Sequence, residues 1–313
     1  MFVNDLMFIV VSYLVLLLCV LLSVAFFTLF ERKILGYIQI RKGPNKTGYL
    51  GLIQPFSDAI KLFSKEQVKP FMSNYFLYYF SPFFSMMVSL VLWVSFPVFS
   101  YFLNFDLSIL FIFCFSSLGV YGIFMAGWSS NSSYSLLGGL RSIAQTISYE
   151  VSLIMIILSV IFFTMSLNVQ KLFLFQLNLW FIFLFFPLGV ILYSTFLAET
   201  NRTPFDLSEG ESELVSGFNT EYSSGSFALI FLAEYSSIMF MSMLFTMFML
   251  GGNYYSFFFM QSLLLLVFMW ILIRGSLPRF RYDHLMSMAW MSYLPISMFF
   301  MIFYYNLIFL MLN

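Results

Sequence analysis

The sequence predicts an all-α polytopic membrane protein with about eight transmembrane helices and one short amphipathic helix. Of its 313 residues, 61% are hydrophobic and only 9% are charged, and the mean hydropathy is +0.94. A water-soluble core of this size does not require such an apolar composition. The apolar residues also form runs of about 20, the length that crosses the hydrocarbon as a helix. We therefore expect a single integral membrane domain, 1–313.

Eight apolar runs predict the spanning helices. Helices are the only sensible spanning structure here, because the sequence shows no alternating pattern typical of membrane β-strands. The approximate spans are 5–30, 77–103, 107–127, 143–166, 178–198, 224–250, 255–273 and 287–311.

The first polar segment, 31–76, is basic and contains the predicted amphipathic helix. Within residues 50–66, Phe56, Ile60 and Phe63 recur at helical spacing, while the charged residues fall elsewhere on the helical wheel. This pattern is typical of a helix that lies at the membrane surface.

The distribution of basic residues predicts the orientation. With both termini outside, the inside segments are 31–76, 128–142, 199–223 and 274–286. They hold 13 of the 14 Lys and Arg residues, and the outside keeps Lys171 alone. Basic residues resist translocation, so this asymmetry supports both the orientation and the number of spans.

Two carboxyl groups, Glu150 and Glu234, fall inside predicted spans. A charge at mid-membrane costs about 2.5–3.5 kcal/mol on insertion scales, and no basic residue lies within four positions of either glutamate. We expect such desolvated carboxyl groups to exchange protons near neutral pH. The alternative is a structural bond to another helix or to a distant arginine such as Arg141 or Arg202.

The inner segment 199–223 concentrates six acids against one base, Arg202. Apolar and small residues are interleaved with the acids, which argues against the alternative of a solvated acidic loop. Crowded carboxyl groups cannot all ionise together. We predict a path of proton-exchanging carboxyl groups from the inner surface to the membrane centre, bridged by serines, water and three tyrosines, Tyr149, Tyr222 and Tyr235. Its members are Glu150, Glu199, Asp206, Glu209, Glu211, Glu213, Glu221 and Glu234.

The sequence lacks the common motifs of redox, metal and nucleotide sites. Cys19 and Cys114 are the only cysteines, both in apolar runs, and there is no GxGxxG, Walker loop, HExxH, nucleophile elbow or histidine pair. We expect no metal site and no redox centre in this chain, and no nucleic-acid partner.

Four long blocks carry a family resemblance, and together with the spacing between them it covers essentially the whole chain. They are ERKILGYIQIRKGPNKTGYLGLIQPFSDAIKLFSKE (31–66), AGWSSNSSYSLLGGLRSIAQTISYEVSL (126–153), AETNRTPFDLSEGESELVSGFNTEYSSGSFALIFLAEY (198–235) and RGSLPRFRYD (274–283). The chain resembles the chain 1 family of NADH:ubiquinone oxidoreductase, the membrane heel subunit of respiratory complex I. Its richness in Phe and Met is similar to that of arthropod mitochondrial members.

The resemblance implies a subunit of the proton-translocating NADH:ubiquinone reductase that joins a peripheral redox arm to a membrane arm. Ubiquinone would be a substrate in a channel of this chain, whereas FMN and iron–sulfur clusters would belong to partner subunits, with no cofactor held covalently or by metal ligation here. The expected partners are the peripheral quinone-site subunits, the adjacent membrane-arm subunits and lipids. The expected location is the mitochondrial inner membrane, with long loops in the matrix and both termini toward the intermembrane space.

The resemblance also implies roles for individual residues. The acids listed above would form the proton or charge relay, and the 199–223 segment would dock against the peripheral arm. The quinone channel would be lined by Arg32, Arg41, Phe56, Asp58, Arg202, Phe231, Arg279 and Arg281.

Three rival functions are compatible with parts of the sequence. An autonomous proton or cation transporter would use the same intramembrane carboxyl groups and would conduct ions as an isolated chain in liposomes. A purely structural anchor would leave the cost of Glu150 and Glu234 unexplained. A membrane subunit of a related hydrogenase shares the general pattern, but the long motif blocks favour the oxidoreductase family.

Overall fold

A computed structural model describes residues 2–96, 105–208, 210 and 214–312, of which 2–6, 311 and 312 are described by their main chain only. The described residues form helices and connecting loops, with no β-strand among them. The α-helices are α1 Phe2–Ile38, α2 Gln54–Ser64, α3 Tyr75–Leu92, α4 Ser108–Ser129, α5 Ser133–Thr164, α6 Val169–Phe175, α7 Phe181–Leu184, α8 Phe186–Glu199, α9 Ser224–Met249, α10 Phe257–Ser276, α11 Tyr282–Ser287 and α12 Leu294–Leu312. Short 3-10 turns occupy Tyr49–Gly51, Trp93–Ser95 and Gly217–Asn219, and a π-helical turn, Met288–Tyr293, joins α11 to α12.

The all-α membrane class is confirmed. Seven helical stretches in the described residues are long and apolar enough to cross a membrane: α1, α3 with its 3-10 turn, α4, α5, α9, α10 and the continuous stretch from α11 to α12. The predicted span 178–198 is formed instead by two shorter helices, α7 and α8. Pro187 lies in the first turn of α8, where its missing N–H is tolerated and a new helix begins.

Two helices extend beyond their predicted spans. α1 continues to Ile38 and α5 begins at Ser133, so parts of the inner segments are helical. Hydropathy marks the hydrocarbon thickness, whereas a helix ends only where its backbone hydrogen bonds end. Glu150 consequently lies near the middle of α5 rather than close to its start.

The predicted amphipathic helix is present as α2. It lies beside α1 and α9, and the Phe56 ring packs edge-on against Phe26 of α1 with centroids 5.9 Å apart. Phe63 on the same apolar face remains 62% exposed. α2 therefore closes one side of the α1–α9 pair and presents an apolar face outward.

α9 is the central helix of the bundle. It contacts α1, α2, α3, α8 and α10, and most of its second half is buried. Small residues allow close approach elsewhere: a Cβ on Gly127 of α4 would lie 3.2 Å from the Gly139 Cα of α5. Small residues at helix interfaces are a common packing device in membranes.

The described part of segment 200–223 folds back against the helices. Phe205, Leu214, Phe218 and Tyr222 are all buried. A freely solvated acidic loop is therefore the wrong description of this part of the chain, because its apolar residues are removed from solvent together with its polar ones.

Candidate functional site: a buried carboxyl cavity and its charged connections

A cavity of about 120 Å³ lies among α3, α4, α5, α9 and the end of α8. Three carboxyl groups from three different helices line it: Glu150 of α5, Glu199 of α8 and Glu234 of α9. The fold thus brings together residues that are distant in sequence, since Glu150 and Glu234 are 84 positions apart. Serine hydroxyl groups of α3, α4 and α9 also line the cavity, namely Ser81, Ser85, Ser89, Ser116 and Ser237.

Buried acceptors in the cavity lining lack donors within the described part of the chain. The Glu199 Oε2 atom and the Asn201 Oδ1 atom are both inaccessible and have no hydrogen-bond partner there. The Glu150 carboxyl is close enough to act electrostatically on Glu199. The cavity is larger than a single water molecule, and its lining combines apolar side chains with carboxyl and hydroxyl groups that can bind water.

Glu234 is paired with a buried arginine from the loop after α8. The Arg202 Nη2 atom lies 3.2 Å from the Glu234 Oε2 atom, and the Arg202 side chain is 9% exposed. The same guanidinium lies over the Tyr235 ring, 4.6 Å from its centroid. The structure therefore contains the structural alternative given above for Glu234, an ion pair with Arg202.

The charged connections continue from Tyr235 to α1 and α10. The Tyr235 hydroxyl donates to the Glu31 Oε2 atom at 2.6 Å, and Arg274 Nη1 pairs with the other oxygen of Glu31. Glu31 is only 5% exposed, and with Arg202 and Arg274 it lines a second, smaller cavity. A series of contacts therefore leads from Glu234 through Arg202 to the Tyr235 ring, and from the Tyr235 hydroxyl to Glu31 and Arg274. The step from Arg202 to Tyr235 is a cation–π contact.

Sequence reasoning missed Glu31 as a site residue. A usable signal was present. Val20, Val24, Phe27 and Ile34 are buried and share one face of α1 with Glu31 at spacings of three and four residues.

The predicted channel residues of the first inner segment lie together beside α1 and α2. Arg32 pairs with Asp58 at 2.6 Å, and the Gln54 Nε2 atom donates to the other Asp58 oxygen at 2.9 Å. Arg32, Arg41 and Gln54 line an open cavity of about 500 Å³. Arg41 also donates to the Gln39 side chain at 2.9 Å. This part of the surface is cationic and borders the apolar face of α2.

The other predicted channel residues are placed differently. Phe231 of α9 packs on Phe227, with centroids 4.4 Å apart, and lies beside Tyr235. Arg279 pairs with the buried Asp206 at 3.3 Å. Arg281 pairs with its neighbour Asp283 on the exposed surface. The described contacts thus place Arg202 and Phe231 beside Glu234 and Tyr235, whereas the ion pair of Arg281 lies on the exposed surface.

Glu209, Glu211 and Glu213 lie outside the described residues. The main-chain oxygen of Glu221 accepts a hydrogen bond from the Tyr78 hydroxyl at 2.6 Å.

Two of the tyrosines expected as bridges bind groups other than the carboxyls. The Tyr149 hydroxyl donates to the Leu285 carbonyl at 3.1 Å, and the Tyr222 hydroxyl lies 2.9 Å from that of Ser81. Burial raises the pKa of the Tyr222 hydroxyl, so it remains neutral at physiological pH.

The described residues contain no group of three or more His, Cys, Asp or Glu that could hold a metal ion.

Comparison with known proteins gives a consistent result. The family model of NADH dehydrogenase matches residues 11–305. The NADH-ubiquinone oxidoreductase chain 1 of Locusta migratoria is 61% identical over 97% of this chain and 96% of its own. Those of Aedes aegypti and Branchiostoma lanceolatum are 58% and 48% identical, over 96% and 89% of each chain.

The fold and the site define a polytopic helical membrane protein with carboxyl groups converging on a cavity. Within that class, the chain belongs to the NADH dehydrogenase family, as the match across nearly its whole length shows.

Proposed function

We propose that this chain is a core membrane subunit of proton-pumping NADH:ubiquinone oxidoreductase in the mitochondrial inner membrane. In this role it forms the access channel for ubiquinone and the first part of a carboxyl relay that couples quinone reduction to proton translocation. Membership of the family and the names of the insect relatives support the assignment to this complex. Other subunits of the complex are then its partners, and its long loops face the matrix.

The convergence of Glu150, Glu199 and Glu234 on one cavity carries the proposal. Carboxyl groups at membrane depth are costly and mark proton or ion pathways. Reduction of a quinone consumes protons and creates negative charge, which changes the protonation of carboxyl groups held nearby in a poorly solvated site. The connection from Glu234 through Arg202 to Tyr235 and Glu31 would carry this change between the quinone and the cavity.

The quinone side of the proposal is the region where α1, α2 and α9 meet. Phe26, Phe56 and Phe231 present aromatic rings suited to an isoprenoid tail. The cationic groups of Arg32 and Arg41 line the adjacent open cavity, where a polar quinone head would pass. The electrons would reach the quinone from FMN and iron–sulfur clusters in partner subunits, and ubiquinone is the only redox-active molecule this chain would hold.

Replacement of Glu234 tests the relay. We expect Glu234→Gln to leave the complex assembled, as judged by native gel migration with NADH dehydrogenase activity, while quinone reduction coupled to proton pumping falls about tenfold or more. The amide retains hydrogen bonding and size but cannot exchange a proton. Glu66→Gln, on an exposed loop residue, is the matched control and should leave both quantities unchanged.

Two outcomes would contradict the proposal. One is a Glu234→Gln complex with full quinone reduction and full proton translocation. The other is proton or cation flux by the isolated chain in liposomes, which would favour the autonomous transporter.

A further inference from the structure

Gln145 of α5 is a completely buried polar side chain that lines none of the three cavities described above. Its Nε2 atom donates two hydrogen bonds of 2.8 Å each, to the main-chain oxygens of Ala198 and Phe205. Both partners are carbonyl groups, which can only accept, so the nitrogen of the carboxamide must be the atom that faces them. One side chain therefore holds two points of the chain, seven residues apart.

The segment between these two points carries the cavity groups of the α8 end. It contains Glu199 and Asn201, which line the carboxyl cavity, and Arg202, which pairs with Glu234. Gln145 and Glu150 belong to the same helix, so the position of Gln145 is fixed relative to the Glu150 carboxyl by rigid backbone. The two hydrogen bonds from Gln145 thus fix the 198–205 segment, which carries Glu199 and Arg202, relative to Glu150.

The far end of the held segment is bound to the loop between α10 and α11. The Phe280 N–H donates to the Pro204 oxygen at 2.9 Å, and the rings of Phe205 and Phe280 are stacked with centroids 5.6 Å apart. Arg279 forms its ion pair with Asp206 in the same place. A displacement of this loop would therefore be transmitted to residue 205, and from there to the carboxamide of Gln145.

We propose that Gln145 is a positioning residue of the relay: its carboxamide clamps the 198–205 segment to α5, sets the placement of Glu199 and Arg202 relative to Glu150, and links that placement to the Arg279–Phe280 loop. This inference rests on the proposed relay function. Gln145 itself handles no proton and touches no reacting group.

A second buried glutamine provides a matched control. Gln176 is 2% exposed and also bonds main-chain groups, donating to the Met247 oxygen at 2.9 Å and accepting from the Gly251 N–H at 2.8 Å. It lies beyond the other end of α9 from Glu234. Gln145→Met and Gln176→Met remove the same donor from equally buried sites, and only the first affects the segment that carries Glu199 and Arg202.

The first measurement compares these two variants in assembled complexes. With Gln145→Met, we expect coupled quinone reduction per assembled complex to fall at least about fivefold, while NADH oxidation by a water-soluble artificial acceptor is retained. With Gln176→Met, both rates per assembled complex should stay near wild type. Equal effects of the two substitutions, or wild-type coupling in Gln145→Met, would overturn the inference.

A second variant makes the two hydrogen bonds of residue 145 depend on pH, and its activity is measured per assembled complex so that a loss of assembly does not contribute. In Gln145→Glu the protonated side chain can donate one hydrogen bond to a carbonyl, whereas the ionised side chain repels both carbonyls. The ratio of variant to wild-type coupled activity should therefore fall as pH rises, and the ratio for Gln145→Met should stay flat. The titratable and charged groups of the adjoining elements are present in every protein compared; they are Tyr149, Glu150, Glu199, Arg202, Asp206 and Arg279. A flat ratio for Gln145→Glu would contradict the clamp.

The outcomes separate this inference from the function on which it rests. If Glu234→Gln loses coupling but the Gln145 variants behave like wild type, only the positioning role fails. If Glu234→Gln retains full coupling, the relay fails whatever Gln145 does. If Gln145→Met and Gln176→Met both prevent assembly and the Gln145→Glu ratio is flat, Gln145 has a general folding role and the inference is wrong.

Discussion

At the scale of single residues, Arg202 explains how the bundle tolerates Glu234. Its guanidinium is close to the carboxylate and also lies over the Tyr235 ring, so one cation serves two acceptor groups. The side chains of the pair are 9% and 22% exposed. Removal of one partner from such a buried pair leaves the other charge uncompensated, which costs far more than the pair contributes as a whole.

Arg202→Met should therefore destabilise the assembled complex by about 3–5 kcal/mol, seen as a lower midpoint of thermal inactivation of artificial-acceptor activity. The double variant with Glu234→Gln should be less damaged than the sum of the two single variants, because no uncompensated carboxylate remains. Arg281→Met, which breaks an exposed pair with Asp283, should change the midpoint little. Strict additivity in the double variant would show that the two side chains act independently.

At the scale of elements, the loop after α8 packs closely against α5 at a glycine, Gly138. A Cβ on Gly138 would lie 3.0 Å from both the Gly217 Cα and the Phe218 nitrogen. These are backbone atoms of the 3-10 turn Gly217–Asn219, so they cannot move aside as a flexible side chain would. Phe218 of this 3-10 turn lines the carboxyl cavity.

Gly138→Ala should displace this turn and lower the stability of the complex by about 1–3 kcal/mol, the usual cost of an overpacked contact. Gly119→Ala is the matched substitution in α4, where a Cβ meets no atom within 4 Å. There the higher helix propensity of alanine should make the change neutral or stabilising by up to about 1 kcal/mol. The midpoint of thermal inactivation measures both, and a neutral Gly138→Ala would show that the 217–219 turn can retreat without cost.

At the scale of the whole molecule, the distribution of charge predicts how the chain lies in the membrane. Arg32, Arg41, Arg202, Arg274 and Arg279 all lie at or near the same ends of the helices as the relay and the open cavity. Lys171 stands alone near the start of α6, at the opposite end. The distribution of charge therefore predicts one polar side and one short-looped side.

A membrane-impermeant amine reagent can test this orientation. In mitochondria stripped of their outer membrane, Lys171 should be labelled and Lys65 protected; in inside-out particles the pattern should reverse. Both lysines are exposed on this chain, so burial within the chain does not limit their labelling. Labelling of Lys171 only in inside-out particles would invert the proposed topology.

The elements predicted best from sequence are those set by local composition. The long apolar runs and the alternation of faces in α2 follow directly from residue order, and seven long helices and α2 match them. The division of the 178–198 span at Pro187 was missed, although a proline is a readable signal for a helix start. Helix ends outside the hydrocarbon were also missed, since hydropathy carries no information about them.

The sequence by itself determined that the chain is helical and rich in segments long enough to cross a membrane, and it predicts that the basic residues share one side and that Glu150 and Glu234 lie at membrane depth. These properties depend on transfer free energies of short segments, which are local. Only the tertiary structure decided that Glu199 joins those two carboxyls in one cavity, that Arg202 and Tyr235 connect them to Glu31, and that Gln145 holds the segment between. Such contacts join helices distant in sequence, and their geometry depends on how close-packed helices rotate and approach one another, which residue order alone does not specify.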